Sequence, residues 1–500
     1  MIISAPQALS GCCIDHINGI ALVMIQAGCR TVQVVAIFIG AVALRITDIN
    51  DLPLDFHPTR QLFSALKARG IYYQTAPEIP DWQREMAVDQ WKLQATIEPE
   101  FVERLAVFAY QIKGTDDLAL PRSALRPLAG SDSAGRAYAV HPGMPGLQRL
   151  FNESDAALLN NVGALVAPLD SAAIAAGNWP VPLGLFSHAD QIQQWQTAVS
   201  DARIAQGWGG RIADLLQARS PYNGLAMNIS LSGNNVFQSG NTTTPYSITT
   251  DEQGARSLNG YTDDSPGGNF TRAVVDDLLA RNQQQLLRRE YGDRFTEALA
   301  TQQAVSGALA MAQPLSTPFG TDPFGQAMRQ IARMISVRDQ LGASRQTFFV
   351  TVGGWDHHDG LLENQASMLP MIDAGLLAFR DALGELGALP MVTTFTTSDF
   401  ARTLTSNGKG SDHGWGGHHI VMGGAVNGGR YYGEYPDIHP DNPLDVGRGV
   451  YVPTTATDLY FAELARWFGV SDSDLNAVLP NLDRFYSIGS GAPLGFMLDG

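Results

Sequence analysis

The sequence predicts an α/β fold with a central, mainly parallel sheet flanked by helices. Three observations carry this expectation. First, RQTFFVTVGG (345–354) is an apolar, β-branched and aromatic run stopped by two glycines, which reads as a strand. Second, Leu362, Gln365, Leu369, Ile372, Leu376, Phe379, Leu383 and Leu386 recur at spacings of three and four, which marks an amphipathic helix ended by GALP (387–390). Third, MVTTFTTS (391–398) reads as another strand. Strand, helix and strand with short links form a βαβ unit, whose strands run parallel with a right-handed crossover. The C-terminal ends of both strands then lie on one sheet edge, where α/β sheets place ligands.

The remaining elements follow the same logic. AALLNNVGAL (156–165) reads as a buried strand, FSHADQIQQWQTAV (186–199) as a loop and helix, and GWGGRIADLL (207–216) as a glycine turn opening a helix. Residues 222–262 read as strand and turn, residues 271–312 as helical, and the glycine-rich interval 400–450 as mainly loop. Residues 1–115 differ in texture and are set apart as an atypical N-terminal segment, leaving 116–492 as the α/β domain. All three cysteines, Cys12, Cys13 and Cys29, fall in that first segment, so the body uses neither disulfides nor thiolate ligands. It also holds a charged, helix-compatible stretch at 81–112. The apolar run VQVVAIFIGAVAL (32–44), shorter than the roughly 20 residues a membrane-spanning helix needs, reads either as a buried strand or, with Arg30 before it and AVA (41–43) as a small-residue cleavage site, as a displaced secretion signal.

Composition bounds function only coarsely. Apolar residues make up 45% and charged residues 16%, a globular balance. The net charge of −16 argues against a nonspecific nucleic-acid binder, which would carry basic faces.

Five of the ten histidines, His357, His358, His413, His418 and His419, fall in one stretch among aspartates and glycines. Asp356 and His358 follow the first strand of the βαβ unit, Asp399 follows the second, and Asp412 and His413 come thirteen residues later. Imidazole with carboxylate suits a hard or borderline divalent cation. Two such cations about 4 Å apart would clamp the attacking and leaving oxygens of a phosphate or sulfate ester. Arg402, one helical turn from Asp399, could hold an anion bidentately. The same residues have ordinary structural uses: an aspartate capping a helix, an Asp399–Arg402 ion pair, His418 and His419 satisfied by loop carbonyls. SHADQ (187–191) brings His188 and Asp190 near the same edge or opens a capped helix. Trp195, Trp208, Trp355 and Trp415 beside polar loops either wall a cleft or pack.

GGWDHHDGLLENQ, TFTTSDFARTLTSNGKGSDHGWGGHHIVMGGAVNGGRYYGEYP, LFSHADQIQQWQT, GWGGRIADLL and PTTATDLYFAELARWFGV together resemble the bacterial domain-of-unknown-function 1501 family. That family looks like a distant branch of the alkaline phosphatase superfamily, with sulfatases and phosphomutases as relatives. The resemblance implies an alkaline phosphatase-like fold and a metal-dependent hydrolase acting on a small anionic ester, phosphate or sulfate, with zinc, manganese or calcium. It implies one metal held by Asp356, His358 and His413. Asp399 would match the carboxylate before a second metal, where Phe400 stands in place of a usual histidine and Asp412 could substitute. Arg402 or His418 would steady the oxyanion. The family usually has threonine where His357 stands and glycine where Ala401 stands. Its Gly-Gly-Asn-Asp-like first turn and its common twin-arginine export signal have no match in this chain. The missing turn motivates a second expectation: an inactive exported binding or assembly protein that keeps the fold. A nonhydrolytic isomerase or transferase, as in the phosphomutase branch, is a third.

Overall fold

A computed structural model describes Ile2–Ile3 and residues 118–498, apart from 170, 178, 220–226, 256–257, 282–284 and 439–441. The N-terminal expectations (the cysteines, the run 32–44 and the stretch 81–112) lie outside the described residues.

In chain order the first elements are β1 (Ile2–Ile3), β2 (Arg126–Pro127), β3 (Ala139–Val140), α1 (Pro145–Asn152), β4 (Ala156–Gly163), α2 (Ser171–Ala175), α3 (His188–Thr197), α4 (Trp208–Arg219), β5 (Asn228–Ser230) and β6 (Tyr246–Ser247). Next come α5 (Pro266–Ala280), α6 (Leu286–Ala310), α7 (Pro323–Ser336), β7 (Thr347–Val350), α8 (Leu361–Glu385) and β8 (Thr394–Phe395). The chain closes with β9 (Arg402–Ser406), β10 (Ser411–His413), β11 (Gly417–Met422), β12 (Tyr431–Tyr432), β13 (Thr455–Ala456), α9 (Thr457–Phe468) and α10 (Leu475–Val478).

The architecture is mixed α/β with several sheets and ten α-helices among the described residues. One sheet, ordered β1-β7-β5-β6, is parallel throughout. The other large sheet is mixed: β4 and β8 flank β11 in antiparallel pairing, while β12 and β13 run parallel to β4. The strand–helix–strand segment forms as β7, α8 and β8, but its two strands belong to different sheets. The interval 400–450, expected as mainly loop, carries the β9–β10 hairpin and β11. Its glycines terminate short strands rather than prevent them.

Alternation along the strands divides the interior in two. Leu158, Phe348, Val350, Ile420 and Met422 face a core built with α1, α7 and α8. Their neighbours Leu159, Phe349 and Val421 face a second core built with Trp195 of α3, Trp208 and Ile212 of α4, and Phe461 and Leu464 of α9. Successive side chains of a strand point to opposite faces, so strands covered by helices on both sides are apolar throughout. That is why AALL and TFFV read as continuous apolar runs. No helix among the described residues is long and apolar enough to cross a membrane.

Candidate metal centre

Four segments deliver the candidate residues. Asp356, His357 and His358 follow β7 in a tight turn, in which the His357 N–H donates to the Trp355 carbonyl and the His358 N–H to the Asp356 carbonyl. Asp399 follows β8, with its carbonyl held by the buried Trp195 indole at 3.1 Å. The β9–β10 hairpin carries Arg402 opposite His413, with Asp412 beside it. This hairpin is tied to the β7 loop: the Ser411 N–H donates to the His357 carbonyl and the Asn407 amide to the His358 carbonyl. Gly410 makes that contact possible, since a Cβ there would lie 2.3 Å from the His357 carbonyl oxygen. The fourth segment is the start of α3, where Ser187 caps the helix and His188 is its first residue.

Asp356 is the centre of the cluster. One oxygen lies 3.0 Å from His358 Nε2 and 3.2 Å from His413 Nε2, and it accepts from Arg402. The other lies 3.3 Å from His188 Nε2. His358 Nε2 and His413 Nε2 are 3.0 Å apart. His188, Asp356 and His413 each present a ligand atom within 4.8 Å of the others.

The opposite nitrogen of each ring is engaged. His188 Nδ1 lies 2.6 Å from Asp399, His358 Nδ1 lies 3.3 Å from Asp412, and His413 Nδ1 lies 3.1 Å from the Phe186 carbonyl. An acceptor at Nδ1 selects the tautomer that leaves the Nε2 lone pair free. Three imidazoles therefore turn their Nε2 atoms toward one carboxylate.

The electrostatics follow from these contacts. Burial opposes charge on His188, but its bonds to Asp356 and Asp399 outweigh burial and push it up to about 9. Bonds to Asp356 and then Asp412 push His358 up to about 9 against the same penalty. Burial would raise Asp356, yet His188, His358, His413 and the Arg402 charge hold it far below the usual carboxylate range. Asp412 is held low chiefly by His358, with Arg448 adding to it. Protons on His188 and His358 thus occupy positions a cation would take, and metal and protons compete.

The structure brings Asp356, His358, Asp399, Arg402, Asp412 and His413 together. Asp399 and Asp412, expected as ligands, sit behind the rings as braces for His188 and His358. Arg402, expected to hold an anion, is buried, with its guanidinium committed to Asp356 and the Ser411 carbonyl. His418 is not brought to the cluster. It lies in β11, fully buried, stacked on Tyr435 with Nδ1 near the Asn161 N–H and the Asn160 side chain. Burial pushes it down to about 3, so it stays neutral. An oxyanion role for His418 therefore finds no geometric support. His357 is likewise buried and pushed down to about 4, first by burial.

Arg448 escapes a reading by local pattern, and His188, read either as near this edge or as opening a capped helix, is both at once. His188 stands 168 and 211 positions from Asp356 and Asp399, its partners here. Its Ser-His start fits an ordinary capped helix, and the helix is capped as well. Arg448 reaches Asp412 from a turn with no preceding motif. Phe400 fills the place beside the rings: it stacks on His413 at 4.0 Å and lies 4.6 Å from His188. Trp195, Trp208, Trp355 and Trp415 are all buried; Trp208 also lines a cavity with Ile212 and Phe237, and none of the four reaches the cluster's ligand atoms.

The donor set fits a borderline cation. Nitrogens sharing a tetrahedral zinc at about 2.0–2.1 Å lie a little over 3 Å apart, near the spacing of the two facing Nε2 atoms. Calcium prefers six to eight oxygen donors, which this cluster does not offer.

No curated protein matches the chain. Two solved structures are similar over 68% of this chain and 72% of theirs: Ps i-CgsB, at 10% identity and TM-score 0.30, and Ps i-CgsB in complex with k-i-k-neocarrahexaose, at 9% and 0.29. Likeness at that level carries nothing over to this chain. The family model described as protein of unknown function (DUF1501) matches residues 87–479, beginning inside the N-terminal segment set apart at 1–115. The chain therefore belongs to the DUF1501 family.

Proposed function

We propose that this protein is a metal-dependent hydrolase of the alkaline phosphatase and sulfatase type, acting on a phosphate or sulfate ester. One observation carries the reading: three imidazoles, each anchored at Nδ1, converge through Nε2 on the single carboxylate of Asp356. His188, Asp356 and His413 would hold one cation, with His358 beside Asp356 and His413 as a further donor, and zinc matches these nitrogens and an oxygen best. A bound cation supplies Lewis-acid stabilisation of the charge that develops on an ester oxygen.

The chain's own residues do the rest. Asp399, Asp412 and the Phe186 carbonyl fix the ring orientations. Arg402 keeps Asp356 ionised and turned inward. Phe400 keeps water from one side of His413 and His188. Phe400 also occupies the position where a second cation would need a histidine, so the proposal is a single-cation site.

One observation favours a second reading, a non-catalytic binding or assembly protein that keeps the fold. Arg402 already pairs with Asp356, so the cluster could serve as an ionic lock.

Elemental analysis of purified protein, combined with aryl phosphate and aryl sulfate esters, separates the readings. The hydrolase gives about one zinc or manganese per chain and turnover, both lost in Asp356→Ala. Metal without turnover on any ester supports the binding protein. A folded chain that takes up no metal at neutral pH rules out the metal centre.

A further inference from the structure

The consecutive helices α5 and α6 differ from the other long helices in how little they bury. Of the fifteen residues of α5 only Gly268 is buried, and α6 buries nothing before Thr301. No side chain from 266 to 300 belongs to either core described above. α5 is tied to Tyr261, whose hydroxyl donates to Asp276 at 2.7 Å and whose carbonyl accepts from Arg272 Nε at 2.8 Å.

Both helices nonetheless carry apolar stripes. Phe270, Val274 and Leu278 recur every four residues on α5, and Leu287 and Tyr291 do so on α6, beside Leu286. Residues four apart share one helix face. Exposure of these six side chains runs from 40% at Val274 to 83% at Leu287. Single exposed apolar residues are ordinary, whereas a contiguous patch marks an interaction site. Helices in proteins draw most of their stability from packing an amphipathic face, which these two stripes do not do within the described residues.

Charge distinguishes what would cover them. The chain carries a net −16, yet residues 266–310 hold five arginines, five acidic residues and no lysine. Two copies of so acidic a chain repel, and they repel least where the local charge is zero. A lipid surface would select a basic polar face, and a strongly charged partner would select the opposite sign. A neutral stripe bordered by both signs is complementary to itself. Area agrees: side chains this exposed offer on the order of 100 Å² each, so the six approach the about 800 Å² per partner of a stable interface.

We propose that α5 and α6 are the contact surface for a second copy of this chain, each copy laying its apolar stripes on the other's about a two-fold axis. Such a contact is isologous, so the same side chains serve on both sides. The metal cluster is built from other elements, so each copy keeps its own. The proposal therefore stands whether the chain is a hydrolase or a binding protein.

The test is sedimentation equilibrium of the full chain over micromolar concentrations, with Phe270→Gln, Leu287→Gln and the double variant. Both positions are exposed, and glutamine is a good helix former, so the variants should keep the parent's circular dichroism. The parent should be a dimer, and the double variant should weaken it by about thirtyfold or more, the scale of interface hot spots. Amide exchange across 270–298 should slow as the parent is concentrated, and should not slow in the double variant. A parent that stays monomeric overturns the proposal, as does a dimer that the double variant leaves intact. A monomer that floats with vesicles of phosphatidylcholine and phosphatidylglycerol overturns it in favour of a lipid surface. A monomer whose 270–298 amides are protected at every concentration overturns it in favour of a cover from the chain itself. If one single variant loses helix content, the other carries the comparison.

Discussion

Asp356 and Asp399 both set a covered carboxylate beside His188, yet they do different things. Asp356 faces three Nε2 atoms, whereas Asp399 meets only Nδ1 of His188. Groups behind a ligand tune affinity by about 10–100-fold, while a ligand itself decides whether metal binds. Asp399→Asn should therefore weaken zinc binding by about 10–100-fold in a chelator competition, and Asp356→Asn should abolish stoichiometric binding. Equal losses in the two variants would contradict the division of roles. A residue far from the cluster carries a separate expectation. Asp458, in the first turn of α9, is fully buried. Burial pushes its carboxyl up to about 7, which a bond from its own backbone N–H and the charge of Arg484 only partly offset. A carboxyl raised on folding is tolerated while protonated. It costs stability progressively from its unfolded value near 4 up to about 7, and the loss is complete above that. Asp458→Asn removes this cost, so its melting temperature should gain on the parent's between pH 5 and pH 8. A constant difference across that range would show that the carboxyl does not titrate there.

At the level of elements, the site depends on how the β9–β10 hairpin seats against the loop after β7. That seat is a backbone-to-backbone approach at Gly410, where any Cβ would meet the His357 carbonyl oxygen at 2.3 Å and the His358 carbonyl oxygen at 2.8 Å. Backbone cannot swing aside as a side chain can, so Gly410→Ala should displace the hairpin and with it Asp412 and His413. The expected outcome is about a tenfold or greater loss of zinc affinity, the scale at which orienting partners act, with the far-ultraviolet circular dichroism of the parent. Parental affinity would mean that the hairpin has room to adapt. The α3 start is a second such seat. Ser187 caps the helix in the ordinary way, and the same turn aims His188 at residues on two other segments. A capped helix start and a functional histidine are one feature here, because the first residue of a helix projects from its end rather than packing along its side.

For the molecule as a whole, the cluster is a place where folding and ligand binding are coupled. The imidazoles come from α3, from the loop after β7 and from β10, so the unfolded chain cannot hold a cation in the same way. Binding to the folded state alone adds RT ln(1 + [L]/Kd) to stability, about 2.7 kcal/mol at a hundredfold excess over Kd. Zinc should raise the melting temperature in a concentration-dependent and chelator-reversible manner. Magnesium at equal concentration should do little, since it prefers oxygen donors. A melting temperature indifferent to zinc would remove the premise of the proposed activity.

Much of this could be read from the residues in order. The runs at 156–163, 188–197, 347–350 and 361–385 form as their periodicity says, because local alternation and the 3.6-residue repeat are properties of neighbouring positions. Asp356, Asp399, Asp412 and His413 were legible as acidic and imidazole residues after strand ends, but the shared sheet edge expected to bring them together does not exist, since β7 and β8 lie in different sheets. Tertiary structure alone decided three matters. It placed β7 and β8 in different sheets. It turned Asp399 and Asp412 into braces and recruited His188 from far along the chain. It drew His418 into the core, where its neighbour strand, not its neighbours in sequence, supplied its partners. The reason is the same in each case: which nitrogen faces which oxygen depends on distances between segments, and spacing along the chain constrains those distances only within one element.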